Sequence, residues 1–394
     1  MTTKITGSIR YIGTDDADLD LFESQYAVPD GISYNSYLIM DERVAIMDTV
    51  DRRCAAAWWK KLTTALNGGT PDYLIVQHLE PDHAACIGEV MERYPQVQVV
   101  ASARAAQMVP QFFRNDALQQ RIIVVKEGDT LPLGHHTLQF MMAPMVHWPE
   151  VMVSYEQTSR TLFSADAFGT FGIVGEEVIG KGRSKAWPDE ARRYYYNICG
   201  KYGAQVQSLL KKVAQLEVER ICPLHGPVLT EDLGYYIGLY DQWSRYRAES
   251  EGILIAYASI HGNTAKVAEV MVHLLRTKGA TEITLVDLCR TDVSAAVAEA
   301  FRMKHMVLAA SSYDGGLFTP MYEFLHRIQI KGYKDRRIGI IENGSWAPSA
   351  GRVMKEMLTQ MKGIDLVEPT VTIRSTLQPT DMSAMEALAE TLLT

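Results

Sequence analysis

Residues 78–83 read His78-Leu79-Glu80-Pro81-Asp82-His83, four metal-ligating side chains within six positions. Such density at the end of a strand-like run, YLIVQ, is difficult to explain by packing and points to metal chemistry. Residues i and i+2 of an extended segment project to the same side, so His78 and Glu80 can share one ion. Pro81 breaks the extended course, and Asp82 with His83 can then face a second ion from the start of a helix. His147 after LQFMMAPMV, Asp166 at the end of TLFSAD and His225 after ERICPL stand at or just beyond other strand-like runs. Singly, each reads as a loop histidine or a cap. Together with the cluster they make a shell of four histidines and three carboxylates, in which Asp166 is the natural bridge because a carboxylate has two oxygens. No cysteine takes part, and the mixture suits iron or manganese as well as zinc.

A second chemistry-bearing pattern lies further along. Ser259-Ile260-His261-Gly262-Asn263-Thr264 joins a buried-strand run to a helical one, with hydroxyls at both ends, a glycine that permits close backbone approach and a helix N-terminus behind. That combination is a cradle for a monophosphate. Two more loops leave equivalent strand ends: Ser312-Tyr313-Asp314-Gly315-Gly316-Leu317 and Asn343-Gly344-Ser345-Trp346. Small residues with an aromatic suit a flat isoalloxazine ring, and Trp346 is expected to stack on it. Zinc has no redox chemistry and would gain nothing from an attached electron carrier, which favours a redox metal without excluding zinc. Two other motifs carry nothing: Gly175 to Lys181 imitates a phosphate loop but is followed by Gly182 in place of Ser or Thr, and His135-His136 reads as a solvated turn.

The elements that must position these groups fall into two patterns. After about residue 250, strand-like runs at 253–259, 282–288, 306–312, 337–343 and 367–373 alternate with helical runs at 263–277, 320–329, 349–362 and 380–393, which predicts a doubly wound parallel sheet of the flavodoxin-like kind. Before it, paired runs such as NSYLIM with RVAIMDTV and VMVSYE with TLFSAD predict hairpins, and 52–66, 84–94 and 188–217 predict helices. Clustered strands plus helices predict a mixed sheet sandwich. The expected domains are 1–250 and 251–394.

Composition excludes other classes. With 394 residues, 39 basic against 47 acidic side chains and a net charge of −8, the chain has no positive field for nucleic acid or an anionic membrane surface. No apolar run reaches a membrane span and no signal peptide stands at the N-terminus, so a cytoplasmic location is expected. The 5 cysteines are widely spaced without a Cys-x-x-Cys pair, which leaves reduced thiols and no disulfide framework, zinc ribbon or rubredoxin-type centre.

The histidine-carboxylate cluster followed by a flavodoxin-like half resembles the flavodiiron proteins over nearly the whole chain. That resemblance implies a metallo-β-lactamase-like αβ/βα sandwich, with one iron on His78, Glu80 and His147, the other on Asp82, His83 and His225, and Asp166 between them. Glu80 stands where zinc hydrolases of that fold typically carry a second histidine. The resemblance further implies FMN on the three loops, reduction of dioxygen to water or of nitric oxide to nitrous oxide, and an external electron donor, either a rubredoxin-like protein or a reduced deazaflavin. With no rubredoxin or flavin reductase module in the sequence, it implies the minimal two-domain form, as a head-to-tail homodimer or a dimer of dimers. The alternative is a zinc hydrolase of the metallo-β-lactamase fold with an accessory flavodoxin-like domain.

Overall fold

The computed structural model describes residues 2–113, 119–180 and 187–394. Lys181 and Gly182, the end of the imitation phosphate loop, lie outside them. The chain divides into two compact units, one ending at Asp241 and one beginning at Gln242.

The first unit is built on two mixed sheets of seven strands each. One runs Thr3–Lys4, Ile9–Tyr11, Tyr37–Ile39, Ala45–Met47, Tyr73–Val76, Gln98–Ser102, Ile122–Val125, and the other carries Thr137–Met142, Met152–Glu156, Thr161–Phe163 and Arg220–Cys222 at its centre. Both expected hairpins form, with Tyr37 opposite Met47 and Ser154 opposite Phe163. Residues from the two sheets, among them Ile9, Tyr37, Met47, Ile75, Phe140, Met152, Phe163 and Cys222, bury one another in a common core. Parallel neighbours need long crossovers. Helices Ala55–Leu66, Ile87–Arg93 and Ala103–Phe112 supply them in one sheet, and Trp187–Ile198 with Gly203–Val213 in the other. The expected helix 188–217 is thus two helices, parted by a tight turn at Gly200–Tyr202, where glycine lowers helical propensity. His136 is no solvated turn residue. Its ring nitrogen lies 3.0 Å from the fully buried Glu156, and its backbone N–H donates to Asp41.

The second unit is a parallel sheet in the order Ile283–Asp287, Ser250–Ala258, Met303–Tyr313, Arg336–Asn343, then Ile364–Leu366 and Val371–Ile373. This is the doubly wound order 2-1-3-4-5. The fifth strand differs from the expected 367–373. Two short pieces pair with successive halves of Arg336–Asn343, interrupted at Glu368-Pro369, because proline cannot donate to the ladder. A helix at Val293–Arg302, started by the Asp292 side chain on the Ser294 N–H, makes the crossover between Ile283–Asp287 and Met303–Tyr313.

The units part at 241/242, ahead of the expected cut at 250, because the intervening residues are fastened to the second sheet. The Glu249 N–H donates to the Arg302 carbonyl, and Arg336 donates to the Tyr246 carbonyl. Arg336 is buried and spends its other donors on the carbonyls of Met303, Phe301 and Lys334. One guanidinium therefore satisfies four carbonyls from three chain segments without a carboxylate. Arg336→Leu is expected to strand those carbonyls and to lower stability by about 2–3 kcal/mol, read as faster hydrogen exchange in peptides covering 303–313.

Candidate metal centre and phosphate-loop cleft

His78 follows strand Tyr73–Val76 by two residues, and Asp82 and His83 lie on the one-turn helix Pro81–Ala84, which Pro81 opens. Proline suits that position because its missing N–H would have no partner there. His147 stands in the loop between Thr137–Met142 and Met152–Glu156, Asp166 just past Thr161–Phe163, and His225 just past Arg220–Cys222. All seven residues converge, six buried and Glu80 half-buried, in two groups: His78, Glu80, His147 and Asp166 in one, Asp82, His83 and His225 in the other.

The separations are those of donors around a cation. In one group His78 Nε2 lies 3.2 Å from Glu80 Oε2 and 3.3 Å from Asp166 Oδ2, and His147 Nε2 lies 3.0 Å from each of the same two oxygens. In the other, Asp82 Oδ2 is 3.1 Å from His83 Nε2 and 3.3 Å from His225 Nε2, and those two nitrogens are 3.1 Å apart. Metal bonds of about 2.0–2.2 Å place neighbouring donors roughly 3.0–3.5 Å apart. Asp166 Oδ1 meanwhile faces His83 at 3.3 Å and His225 at 3.8 Å. The carboxylate thus turns one oxygen to each group. Asp82 Oδ1 and Asp166 Oδ1 are buried without a hydrogen bond, a costly arrangement that a cation relieves.

Charge balance within the cluster follows from the same contacts. Burial opposes charging of His83, but Asp82 and Asp166 outweigh it and lift the imidazole to about 10. Against the same burial, Asp166 and Glu80 lift His147 to about 9. Burial pushes Asp166 upward, yet His78, His147 and His83 hold it well below the carboxylate range.

Further residues, not singled out from the sequence, orient the donors. His78 Nδ1 lies 2.8 Å from the buried Glu150, which also accepts from the Leu79 N–H, and His225 Nδ1 donates to the Ser33 carbonyl at 2.7 Å. Both contacts fix the tautomer that leaves Nε2 free. The Asn35 side chain donates to the carbonyls of Pro223 and Gly226, flanking His225. Gly226 has φ +80°, and a Cβ there would meet Thr170 Cγ2 at 2.2 Å, so the step after His225 requires glycine. Phe22, Tyr34 and Tyr194 pack their rings around His225 at 5.3, 6.0 and 5.4 Å, and Trp148 packs against His78 at 5.3 Å. Aromatic residues spread through the sequence carry no spacing signal that would gather them at one site.

In the second unit the three expected loops meet in a cleft of about 510 Å³ at the C-terminal ends of the strands. Ser259, Ile260, His261, Asn263 and Thr264 line it, with Ser312 to Gly315 and Asn343 to Trp346. Ser311, Ala347 and Ser375 also line it. Gly262, Gly316 and Leu317 do not. Gly262 at φ +89° instead turns the chain into helix Asn263–Thr277, Gly316 accepts from the Ser349 hydroxyl, and Leu317 is buried opposite Ser312. The Thr264 and Ser311 hydroxyls are bonded at 3.0 Å. Trp346 projects into solvent, 91% exposed, and Tyr313, which packs against Phe318, is 47% exposed, so two aromatic side chains stand at the rim.

Comparison with known proteins agrees with both halves. Residues 32–226 match the family model described as ODP family beta lactamase. A putative diflavin flavoprotein A 1 of Thermosynechococcus vestitus is 30% identical over 94% of this chain, which spans 63% of that protein's length. An anaerobic nitric oxide reductase flavorubredoxin of Pectobacterium atrosepticum is 25% identical, covering 99% of this chain and 76% of its own. Among solved structures, the rubredoxin oxygen:oxidoreductase of Desulfovibrio gigas superposes with a TM-score of 0.94 over 100% of this chain and 98% of that one, at 24% identity. The chain's relatives by sequence are diflavin flavoproteins and flavorubredoxins, and the solved structures that share its fold include flavodiiron proteins. Its fold is that of the family, a metallo-β-lactamase-like unit followed by a flavodoxin-like parallel sheet. Among its described residues, no helix is long and apolar enough to cross a membrane.

Two outcomes are expected of this site. Because His83 and His147 titrate near 10 and 9 without metal, both are protonated at pH 7, and a bound ion needs them neutral. Metal loading at pH 7 should release at least two protons, and apparent affinity should climb as pH rises toward those values. Calorimetry in buffers of different ionisation enthalpy measures this. Glu150→Ala should weaken metal binding roughly 10–100-fold by freeing the His78 ring, measured by chelator competition.

Proposed function

We propose that the chain is an oxidoreductase that reduces dioxygen to water, nitric oxide to nitrous oxide, or both, at two iron ions, with electrons delivered through FMN from an external donor. The observation that carries this is the single carboxylate, Asp166, whose two oxygens address two separate ligand groups. In this reading one iron takes His78, Glu80 and His147, the other takes Asp82, His83 and His225, and residues 1–250 serve the metals while 251–394 serve the flavin. The names of two relatives support the substrates, one an oxygen oxidoreductase and the other a nitric oxide reductase. The donor set supports iron over zinc. Three carboxylates and no thiolate fit a hard, redox-active ion, and a flavin-type cleft in the same chain has no use beside a redox-inert one.

When bound, two ferrous ions and a reduced flavin supply four electrons, the number that takes dioxygen to water without releasing peroxide. The chain's own residues set the conditions for that chemistry. Seven donors shared between two ions leave open positions for a small gas. Glu150 and the Ser33 carbonyl hold two imidazoles in the ligating tautomer, and the rings of Phe22, Tyr34, Tyr194 and Trp148 exclude bulk water from the histidine side. In the second unit Ser259, Thr264 and the N-terminus of helix Asn263–Thr277 would receive the phosphate, and Tyr313 and Trp346 would flank the ring. The donor is a rubredoxin-like protein or a reduced deazaflavin. Five free cysteines fit a reducing, cytoplasmic setting.

Protein expressed with ample iron should contain two irons and one FMN per chain. Two zincs, or no flavin absorbance, would overturn this reading in favour of the zinc hydrolase. His78→Ala should abolish gas consumption while FMN stays bound, and Trp346→Ala should weaken FMN about fivefold, the equivalent of about 1 kcal/mol for a stacked ring.

We further propose a head-to-tail homodimer in which the flavin of one chain serves the irons of the other, since a two-fold contact brings unlike sites together twice. Co-expression of a chain lacking metal ligands (His78→Ala with His83→Ala) and a chain unable to hold FMN (Thr264 and Trp346 both exchanged for Ala) tests this. Transfer between chains should restore about one quarter of wild-type activity, because about half the dimers are mixed and half of their sites work. Transfer within a chain restores none.

A further inference from the structure

The flavin cleft has a wall that the three phosphate- and ring-binding loops do not supply. Strand Val371–Ile373 runs parallel to Ile341–Asn343, so the residues after it emerge beside the Asn343–Trp346 loop at the same end of the sheet. The two loops are tied together. The Asn343 amide donates to the Ser375 carbonyl at 2.9 Å and accepts from the Ser375 N–H at 3.0 Å, reading both backbone groups of one residue. The Gly344 N–H donates to the Ile373 carbonyl at 3.0 Å, and the hydroxyls of Ser345 and Ser375 are hydrogen-bonded to one another. Ser375 is held at φ +67°, a left-handed conformation rare for a side-chain-bearing residue, and it lines the cleft.

Charge makes this wall matter. Among the described residues lining the cleft there is no lysine or arginine, and the ionisable ones are Asp314, His261 and the Tyr313 phenol. The guanidinium next to Ser375 is therefore conspicuous. Arg374 donates from Nη1 to the carbonyl of Ser345, itself a lining residue, at 3.3 Å. Two-electron reduction of a flavin with uptake of one proton leaves a ring with one negative charge. A fixed cation near the ring favours that state over the neutral oxidised one and raises the potential.

We propose that Ser375 supplies a fourth contact to the flavin site, and that the charge of Arg374, beside it and outside the cleft lining, selectively stabilises the reduced ring. This rests on the cleft being an FMN site. The clamp from Asn343 gives the reason for the strained backbone at Ser375: it keeps the loop that bears the exposed Arg374 beside Ser345.

The test uses the full chain reconstituted with FMN, comparing wild type, Arg374→Gln and Arg374→Lys by fluorescence titration of oxidised FMN and by potentiometry of the bound flavin. Arg374→Gln should leave the affinity for oxidised FMN unchanged and weaken the reduced form about tenfold, which lowers the two-electron potential by about 30 mV. Arg374→Lys, which keeps the charge, should retain most of the wild-type potential. A Gln variant with the wild-type potential overturns the proposal, as does a Lys variant shifted as far as Gln. Wild-type protein that binds no FMN overturns the flavin reading itself, an outcome separate from either.

Discussion

One carboxylate governs the arrangement of the first unit. Asp166 turns Oδ2 toward His78 and His147 and Oδ1 toward His83 and His225, so it is the point at which two ligand groups become one centre. A buried aspartate in that position is tolerable only if positive charge lies on both sides of it. The rest of the cluster supplies that need, through imidazoles when protonated and through cations when loaded. The two sheets must consequently end at the same place, because His78 and His83 follow a strand of one sheet while Asp166 and His225 follow strands of the other. The shared apolar core holds those strand ends in register, and the site inherits its precision from that packing.

The second unit works under a different constraint. Its cleft is bordered by hydroxyls, amides and a helix N-terminus, with two aromatic rings at the rim. Such a surface recognises a phosphate and a flat ring through shape and backbone donors, with little fixed charge. Electrostatic tuning of the ring then falls to residues just outside the lining.

Much of this was legible in the residues. The six-residue run from His78 to His83 marks a metal site because four ligand types at that density have few other uses. His147, Asp166 and His225 were recognisable because each follows a strand-like run, and strand ends are where side chains leave a core. The alternation of strands and helices after residue 250 was equally plain. What escaped was whatever depends on distance in space. Glu150 orients His78 from beyond His147, Ser33 orients His225 with a backbone carbonyl, and Ser375 reaches the cleft from the far edge of the sheet. A carbonyl carries no residue signature at all. Gly316 and Leu317 fall outside the lining for the opposite reason: they belong to the same loop, but the short hairpin with Ser312 and Tyr313 turns them away from the cleft. His136 looked polar and exposed only because its partner Glu156 lies two strands later.

The spread of the donors along the chain has a consequence for folding. Strand ends near residues 78, 147, 166 and 225 are brought to one point, so an ion pair held there closes several long loops at once, as a set of disulfides would. The same seven side chains that make the candidate metal centre are thus also the knot of the sandwich. Stripping the centre with a chelator should loosen the loops that carry them before it disturbs the strands beneath.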